Sequence, residues 1–179
     1  MLFNSQEFIF FFVPLTFCVY QIFIRSDNKG AKFWLILCSL FFYSYWNPLY
    51  VILLIISIAT NYGCSVFIFR NPASSKRKLF LLLGITANLA AIGYFKYANF
   101  FVENFNHLTG FGFATNQILL PLAISFFTFQ QIAYIVDVYL GKETKGTISD
   151  YILFVVFFPQ LIAGPIVHHK EMMPQFRKL

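Results

Sequence analysis

Long apolar runs alternate with short polar stretches along almost the whole chain. The pattern predicts five membrane-crossing helices. They lie over 8–24, within 33–50, over 49–69, over 79–95 and over 117–140, and a turn at 46–48 separates the second from the third. A spanning helix needs about 20 largely apolar residues, because each residue adds about 1.5 Å across a hydrocarbon core about 30 Å thick. The pattern therefore predicts an all-α, polytopic integral membrane protein with about five to six transmembrane or re-entrant helical segments.

The last apolar run, Tyr151 to Phe176, is interrupted twice. Pro159 breaks it first and Gly164-Pro165 breaks it again. Proline removes a backbone donor and clashes with the preceding helical turn. In hydrocarbon, the freed backbone groups must find partners in the protein or in a water-lined cavity. Pro14 similarly predicts a kink in the first run.

Two interpretations of this broken segment remain open. In the first, its backbone lines a cavity inside a membrane protein, and the chain then turns polar at His168-His169. In the second, a spanning helix ends near Ala163 and an ordinary interfacial loop follows.

Composition agrees with a membrane protein. Of the 179 residues, 59% are hydrophobic and 11% are charged, and the mean hydropathy is +0.69. The net charge of +6 does not indicate nucleic-acid binding, because the basic residues lie in short loops between apolar runs. Cys18, Cys38 and Cys64 lie in apolar runs without metal-ligand spacing, so we predict three small buried side chains and no metal site.

The basic residues also predict an orientation. Loop 25–32 has three lysines or arginines, loop 70–78 has four and loop 141–150 has two, whereas region 96–116 has one. These loops share the cytoplasmic side if the N-terminus is outside. The tail 168–179 adds three basic residues, which favours a re-entrant 151–167 that returns the tail to the cytoplasm.

Several polar residues lie within the apolar runs. Asn61 and Asn88 predict contacts between helices, and Gln130 and Gln131 lie near the middle of the fifth run. Asp137 is an ionisable residue near the end of that run, and an interfacial or helix-pairing aspartate is favoured over a substrate or proton site.

Outside the spans, region 96–116 mixes aromatic and polar residues and predicts an interfacial stretch that is partly an amphipathic helix. Lys96 fits an anchoring lysine and His107 a surface histidine. No nucleotide-binding, hydrolase or metalloprotease motif is present in the sequence.

Three stretches carry a resemblance to a known family. They are IGYFKYANFF (92–101), LLPLAISFFTFQQIAYIVDVY (119–139) and FPQLIAGPIVHHKEMMPQF (158–176). Together they resemble the membrane-bound O-acyltransferase (MBOAT) family, in particular the bacterial branch of the alginate O-acetyltransferase membrane subunit. The resemblance runs in order over essentially the whole chain.

The resemblance implies transfer of an acyl group, acetyl being the expected one, to hydroxyls of an exported polysaccharide such as alginate or another cell-surface glycan. The donor would be a cytoplasmic thioester such as acetyl-CoA, a substrate rather than a bound cofactor. It implies a multi-pass protein of the bacterial inner membrane, and the loop charges above place the N-terminus outside. Expected partners are the lipid bilayer and the glycan, with an extracytoplasmic acetyltransferase and a missing C-terminal half as further candidates.

The chain departs from the family in one respect. Family members are more than twice this length, and their catalytic histidine lies in the C-terminal half. We therefore expect 1–179 to be the N-terminal part of a single MBOAT domain without its catalytic part. His168 and His169 have the right chemistry for a general base, but they fit interfacial loop residues better, so no catalytic residue is assigned.

Two other functions compete with this expectation. A transporter or flippase half would suit broken helices and an intramembrane aspartate, although no repeat of the broken-segment pattern is found. A non-catalytic membrane scaffold would suit a short chain without the family's histidine.

Overall fold

The computed structural model describes residues 4–110, 118–142, 147–164 and 169–178. Within these residues the chain is helical and has no strand, which confirms the all-α prediction. The helices are α1 (Val13–Ser26), α2 (Asn28–Ser44), α3 (Pro48–Arg70), α4 (Arg77–Ile92), α5 (Ala98–Thr109), α6 (Ile124–Tyr139), α7 (Ile148–Val156), α8 (Phe158–Ala163) and α9 (His169–Lys178). Two π-helical turns, Phe8–Phe12 and Gly93–Tyr97, precede α1 and α5.

Three helical runs among the described residues are long and apolar enough to cross a bilayer. They are Phe8–Ser26, Pro48–Arg70 and Arg77–Thr109. Helices α2 and α6 have 17 and 16 residues, about 26 and 24 Å at 1.5 Å per residue. The predicted five to six transmembrane or re-entrant segments stay a prediction for the segments beyond these three.

The connection between α1 and α2 is much shorter than the predicted turn over 25–32. Only Asp27 separates the two helices, so the turn lies within the predicted stretch but its predicted length was wrong. The Asp27 carboxylate accepts hydrogen bonds from the backbone N–H groups of Lys29 and Gly30, both at 3.0 Å. Such an N-cap satisfies donors that the first helical turn leaves free, and α2 therefore begins within the basic stretch.

The fifth predicted span also begins later than expected. Helix α6 starts at Ile124 rather than at Gln117, and the residue before it, Ala123, has a left-handed backbone with φ 55°. The preceding stretch is held by tyrosines of other helices. Tyr50 donates to the Leu119 carbonyl at 2.6 Å, and Tyr43 donates to the Leu122 carbonyl at 3.1 Å.

Helices α4 and α5 form one run that is longer than a membrane crossing. The run Arg77–Thr109 has 33 residues, about 50 Å of helix against a hydrocarbon core of about 30 Å. It ends at Gly110, whose φ of 74° suits a residue without a side chain. The predicted amphipathic helix within 96–116 is thus α5, whereas 111–116 lies outside the described residues.

The core forms where α3, α4, α6 and α7 pack together. Asn61 and Asn88 pair across α3 and α4, with the Asn88 amide donating to the Asn61 side-chain oxygen at 2.6 Å, which confirms the predicted contact. Gly84 lets α4 approach Ile135 closely, because a Cβ there would lie 2.5 Å from the Ile135 Cδ1 atom. Cys38 and Cys64 are buried as predicted, whereas Cys18 is exposed on the outer face of α1, so that prediction was wrong.

The described parts of the three basic loops lie at one end of the bundle. The Lys32 ammonium is 2.8 Å from the Asp150 carboxylate, which connects the start of α2 to the start of α7. The Arg77 guanidinium donates to the Tyr139 carbonyl at 2.8 Å, which connects the start of α4 to the end of α6. The structure therefore places these loops on a common side, and which side of the membrane this is stays a prediction.

Candidate functional site

The segment 151–176 is broken as the sequence indicated. Helix α7 ends at Val156, Phe157 has φ −53° and ψ 105°, and the six-residue α8 follows with Pro159 in its first turn. The first turn of a helix tolerates proline, because the N–H that proline lacks would have no partner within the helix there. Helices of nine and six residues are about 14 and 9 Å long, so neither crosses a bilayer. The segment is therefore not one continuous helix, and whether it crosses the membrane or is re-entrant stays a prediction.

The donor freed at this break has a partner on α2. The backbone N–H of Phe158 donates to the Ser39 hydroxyl oxygen at 3.3 Å, and that hydroxyl donates to the Leu35 carbonyl at 2.8 Å. The Phe158 ring packs 5.1 Å from Phe12 and 5.6 Å from Phe42, centroid to centroid. The break is therefore built into the packing, as membrane proteins require where backbone groups leave a helix.

The second break begins at Gly164. Its backbone is extended, and a Cβ atom there would lie 2.7 Å from the Gln160 Cα atom and 2.9 Å from the Gln160 carbonyl oxygen. A side chain at this position would therefore displace the end of α8. Pro165 and His168 lie outside the described residues, as does the side chain of Lys170.

An apolar groove of about 380 Å³ lies beside the first break. Its walls come from α1, α2, the α7–α8 junction and α9. Thr16 and Gln175 are its polar lining residues. The other lining residues are Val13, Phe17, Tyr20, Leu35, Phe157, Phe158, Pro159 and Phe176. The groove is open at the surface, since Phe17 is 58% exposed, so a cavity inside the protein stays a prediction.

Helix α6 presents a polar stripe, formed by Gln130, Tyr134 and Asp137, whose spacing places them on one helical face. Asp137 Oδ2 lies 3.6 Å from His169 Nε2, and the Tyr134 ring meets the His169 ring edge-on at 5.4 Å. The His169 side chain is 1% exposed. It begins α9 inside the protein, so the predicted interfacial-loop position of His169 was wrong.

The neighbouring Gln131 belongs to a separate polar network. Its amide donates to the Ser57 hydroxyl at 2.9 Å, and its carbonyl oxygen accepts from the Tyr151 hydroxyl at 3.1 Å. This network joins α3, α6 and α7 through the half-buried Ser57 and the buried Gln131 and Tyr151. By contrast, the buried amides of Gln130 and Gln160 find no hydrogen-bond partner in the part of the chain that the structure describes.

The remaining candidates lie apart from this region. Lys96 is exposed, with its ammonium 5.5 Å from the centre of the Tyr97 ring, and His107 is exposed on α5. Among the described residues, no three histidine, cysteine or acidic side chains form a group that could hold a metal ion.

The Asp150 carboxyl marks the end of the bundle where the basic loops meet. Burial alone would raise its pKa, but hydrogen bonds from Lys32 and Thr147 and the Lys32 charge together lower it below the ordinary value. Thr147 and Asp150 also form a capping box at the start of α7. The entrance to the broken segment is thus fixed by an ionised carboxylate.

Comparisons with known proteins agree with the resemblance carried by the sequence. The chain is 43% identical to a peptidoglycan O-acetyltransferase of Helicobacter pylori, over 99% of the chain and 39% of that protein. It is 37% identical to a probable alginate O-acetylase of Pseudomonas aeruginosa, over 98% of the chain and 34% of that protein. A similar protein of Pseudomonas putida is also 37% identical, over 98% of the chain and 37% of its own length.

These relatives confirm the predicted resemblance to membrane-bound O-acyltransferases. The chain spans between about a third and two fifths of the length of the curated relatives that it matches. No protein-family model matches the chain, and no solved structure matches it significantly.

Proposed function

We propose that this chain is the N-terminal part of a membrane-bound O-acyltransferase that transfers an acetyl group to hydroxyls of an exported polysaccharide. The observation that carries the proposal is similarity over 98–99% of the chain to O-acetyltransferases whose names specify peptidoglycan and alginate. Both acceptors are glycans with free hydroxyls. The donor is a cytoplasmic thioester such as acetyl-CoA.

The broken segment supports this proposal because it places irregular backbone beside a groove between the helices of a membrane protein. The groove of about 380 Å³ lies between the break and α1. Irregular backbone is tolerated at membrane depth where it is buried in protein or lines a cavity. We propose that the segment is re-entrant and lines part of the donor's route.

The basic end of the bundle supports the proposed orientation. Lys32 and Arg77 lie at this end, where α2 and α4 begin. Positively charged loops favour the cytoplasm, so the protein lies in the bacterial inner membrane with its N-terminus outside. A thioester donor then arrives at the end where Asp150 anchors α7. The proposed partners are the bilayer, the glycan acceptor, an extracytoplasmic acetyltransferase and the C-terminal part of the enzyme.

No described residue is assigned the role of general base. His169 is buried against Asp137 and Tyr134, away from the groove lining. A base must reach the proton of the attacking hydroxyl. We place that role in the C-terminal part of the enzyme, where the family has its histidine.

A chimera tests the proposal directly. This chain replaces the matching stretch of the Helicobacter pylori relative, and the hybrid is reconstituted in liposomes with acetyl-CoA and a peptidoglycan acceptor. We expect ester formation well above that of lipid alone, because the replaced residues are 43% identical. This chain without the remainder is the matched control and forms no ester.

A second chimera with the Pseudomonas aeruginosa relative and an alginate acceptor guards against a mismatch between the two parts. Failure of both hybrids, each correctly inserted, would contradict the proposed function. Ester formation by this chain alone would contradict the placement of the base and would bring His168 and His169 back as candidates.

A further inference from the structure

The buried pair of Asp137 and His169 has a position that the proposed acyl transfer does not explain. It joins the last turns of α6 to the first residue of α9. The two atoms, Asp137 Oδ2 and His169 Nε2, are 3.6 Å apart, within ion-pair distance. The pair is therefore a polar contact between α6 and the start of α9, where the described chain resumes after the second break.

The rest of the buried face of α9 is apolar. Met173 is fully buried, and Phe176 packs its ring 5.6 Å from that of Phe157. With His169, these residues occupy positions one and two helical turns apart, hence one face of the helix. Phe176 and its neighbour Gln175 also line the groove beside the first break. The position of α9 therefore sets one wall of that groove.

A buried polar side chain costs free energy unless it is paired, and both side chains of this pair are largely buried. Removing one partner of such a pair leaves the other uncompensated, which destabilises far more than removing both. Tyr134 and Phe154 surround the His169 ring with aromatic edges and faces, at 5.4 and 6.2 Å. The low polarity of this environment strengthens the coupling between the two groups.

We propose that Asp137 and His169 form a polar latch that holds the start of α9 against α6 and thereby positions the α9 wall of the groove. The latch is a positioning device. It requires no acyl transfer, so it stands or falls independently of the proposed function.

Alkylation of a buried cysteine tests the latch in this chain. Met173→Cys is placed in a background in which Cys18, Cys38 and Cys64 are replaced by alanine, and labelling by a membrane-permeant maleimide is timed in liposomes. Labelling is slow while α9 is docked. Asp137→Asn and His169→Gln should each accelerate it roughly tenfold or more, because local opening exposes the thiol. The exchanged pair, Asp137→His with His169→Asp, should restore slow labelling.

Two controls separate the latch from general destabilisation. His107→Gln changes an exposed histidine on α5 and should leave the labelling rate of Met173→Cys unchanged. Leu54→Cys reports on the fully buried core of α3 and should stay slowly labelled in every variant.

Three results would overturn the latch. The first is an unchanged rate at Met173→Cys in Asp137→Asn. The second is failure of the exchanged pair to restore slow labelling. The third is equal acceleration at Leu54→Cys, which would show unfolding of the whole bundle instead of release of α9.

Discussion

Gly84 shows how one missing side chain sets the distance between two helices. It lies on α4 where Ile135 of α6 approaches, and any Cβ would meet the Ile135 Cδ1 atom at 2.5 Å. Ile135 is itself fully buried, so it has little room to move. Small residues at such contacts allow close packing of membrane helices, which lack a hydrophobic drive toward one another.

Gly84→Leu should therefore lower the free energy of unfolding by about 1–3 kcal/mol, the usual cost of overpacking a core. The matched control is Gly63→Leu on α3, where a Cβ meets nothing within 4 Å. Thermal midpoints in detergent compare the two variants. Equal midpoints for both would show that the α4–α6 contact is not tight.

Asp150 gives the bundle a defined response to acid. Its pKa is lowered in the folded protein, whereas an unfolded aspartate titrates near about 3.9. The stability contributed by the carboxylate is therefore fully present above about pH 4 and is lost as the pH falls through the folded pKa. Between about pH 5 and pH 8 this group should make no pH-dependent contribution to the free energy of unfolding.

Asp150→Asn should destabilise the protein by about 1–3 kcal/mol at neutral pH, because the Lys32 ammonium loses a charged hydrogen-bond partner. The difference from the unaltered protein should shrink as the pH falls from about 4 through the lowered pKa of folded Asp150, because the carboxylate then becomes protonated. Unfolding followed by circular dichroism at neutral and acidic pH measures this difference in the free energy of unfolding. Glu103→Gln, on exposed α5, is the control. A difference that persists undiminished in acid would mean that charge is not its source.

At the scale of helices, hydrophobic pattern and start signals determined what could be predicted. The third span was predicted over 49–69 and observed over Pro48–Arg70, because Asn47 caps it and Pro48 suits its first turn. The start of α6 was mispredicted by seven residues. Apolarity continues through Leu119 and Leu122, whose carbonyls accept hydrogen bonds from distant tyrosines, and no local signal reveals such contacts.

The breaks in the segment were predictable because proline and glycine act on the local backbone. The buried surroundings of His169, where the segment ends, were not predictable. His169 is separated along the chain from its partner Asp137, and a polar run after Gly164 reads locally as solvent-exposed loop. Its burial follows from α9 folding back against α7, a tertiary contact. One sequence feature could have indicated this contact. Asp137 is an ionisable residue within an apolar run, and such a residue requires a polar partner.

Gly164→Ala should loosen the end of α8 and the return of the chain into α9. The added Cβ would lie 2.7 Å from the Gln160 Cα atom, a backbone contact that no side-chain rotation relieves. Amide hydrogen exchange over 169–178 should accelerate roughly tenfold, while exchange in α3 stays unchanged. Gly93→Ala, where a Cβ meets nothing within 4 Å, is the control and should not accelerate it. Unaltered exchange over 169–178 would show that the glycine is not needed there.

At the scale of the whole molecule, two contacts connect the basic loops with one another. Counting lysines and arginines in the loops predicts that they share a side but gives no contact between them. Lys32 reaches Asp150, and Arg77 reaches the Tyr139 carbonyl while lying over the Tyr139 ring at 5.1 Å. The sequence predicted that these loops share a side, and the fold supplies the physical reason. The direction of the bundle in the membrane stays a prediction from the positive-inside rule.

The orientation and the re-entrant segment can be tested together with single cysteines in a background lacking Cys18, Cys38 and Cys64. A cysteine at Ser75, in the basic loop after α3, should be shielded from an impermeant thiol reagent in intact cells, because positive loops face the cytoplasm. One at Asn106, near the far end of the 33-residue run, should be labelled. A cysteine at Gln175 distinguishes a re-entrant segment from a membrane-crossing one. Because α9 packs beside α7, this cysteine should be shielded like the one at Ser75. Labelling of Gln175 together with Asn106 would mean that the segment crosses the membrane, and labelling of Ser75 with protection of Asn106 would invert the orientation.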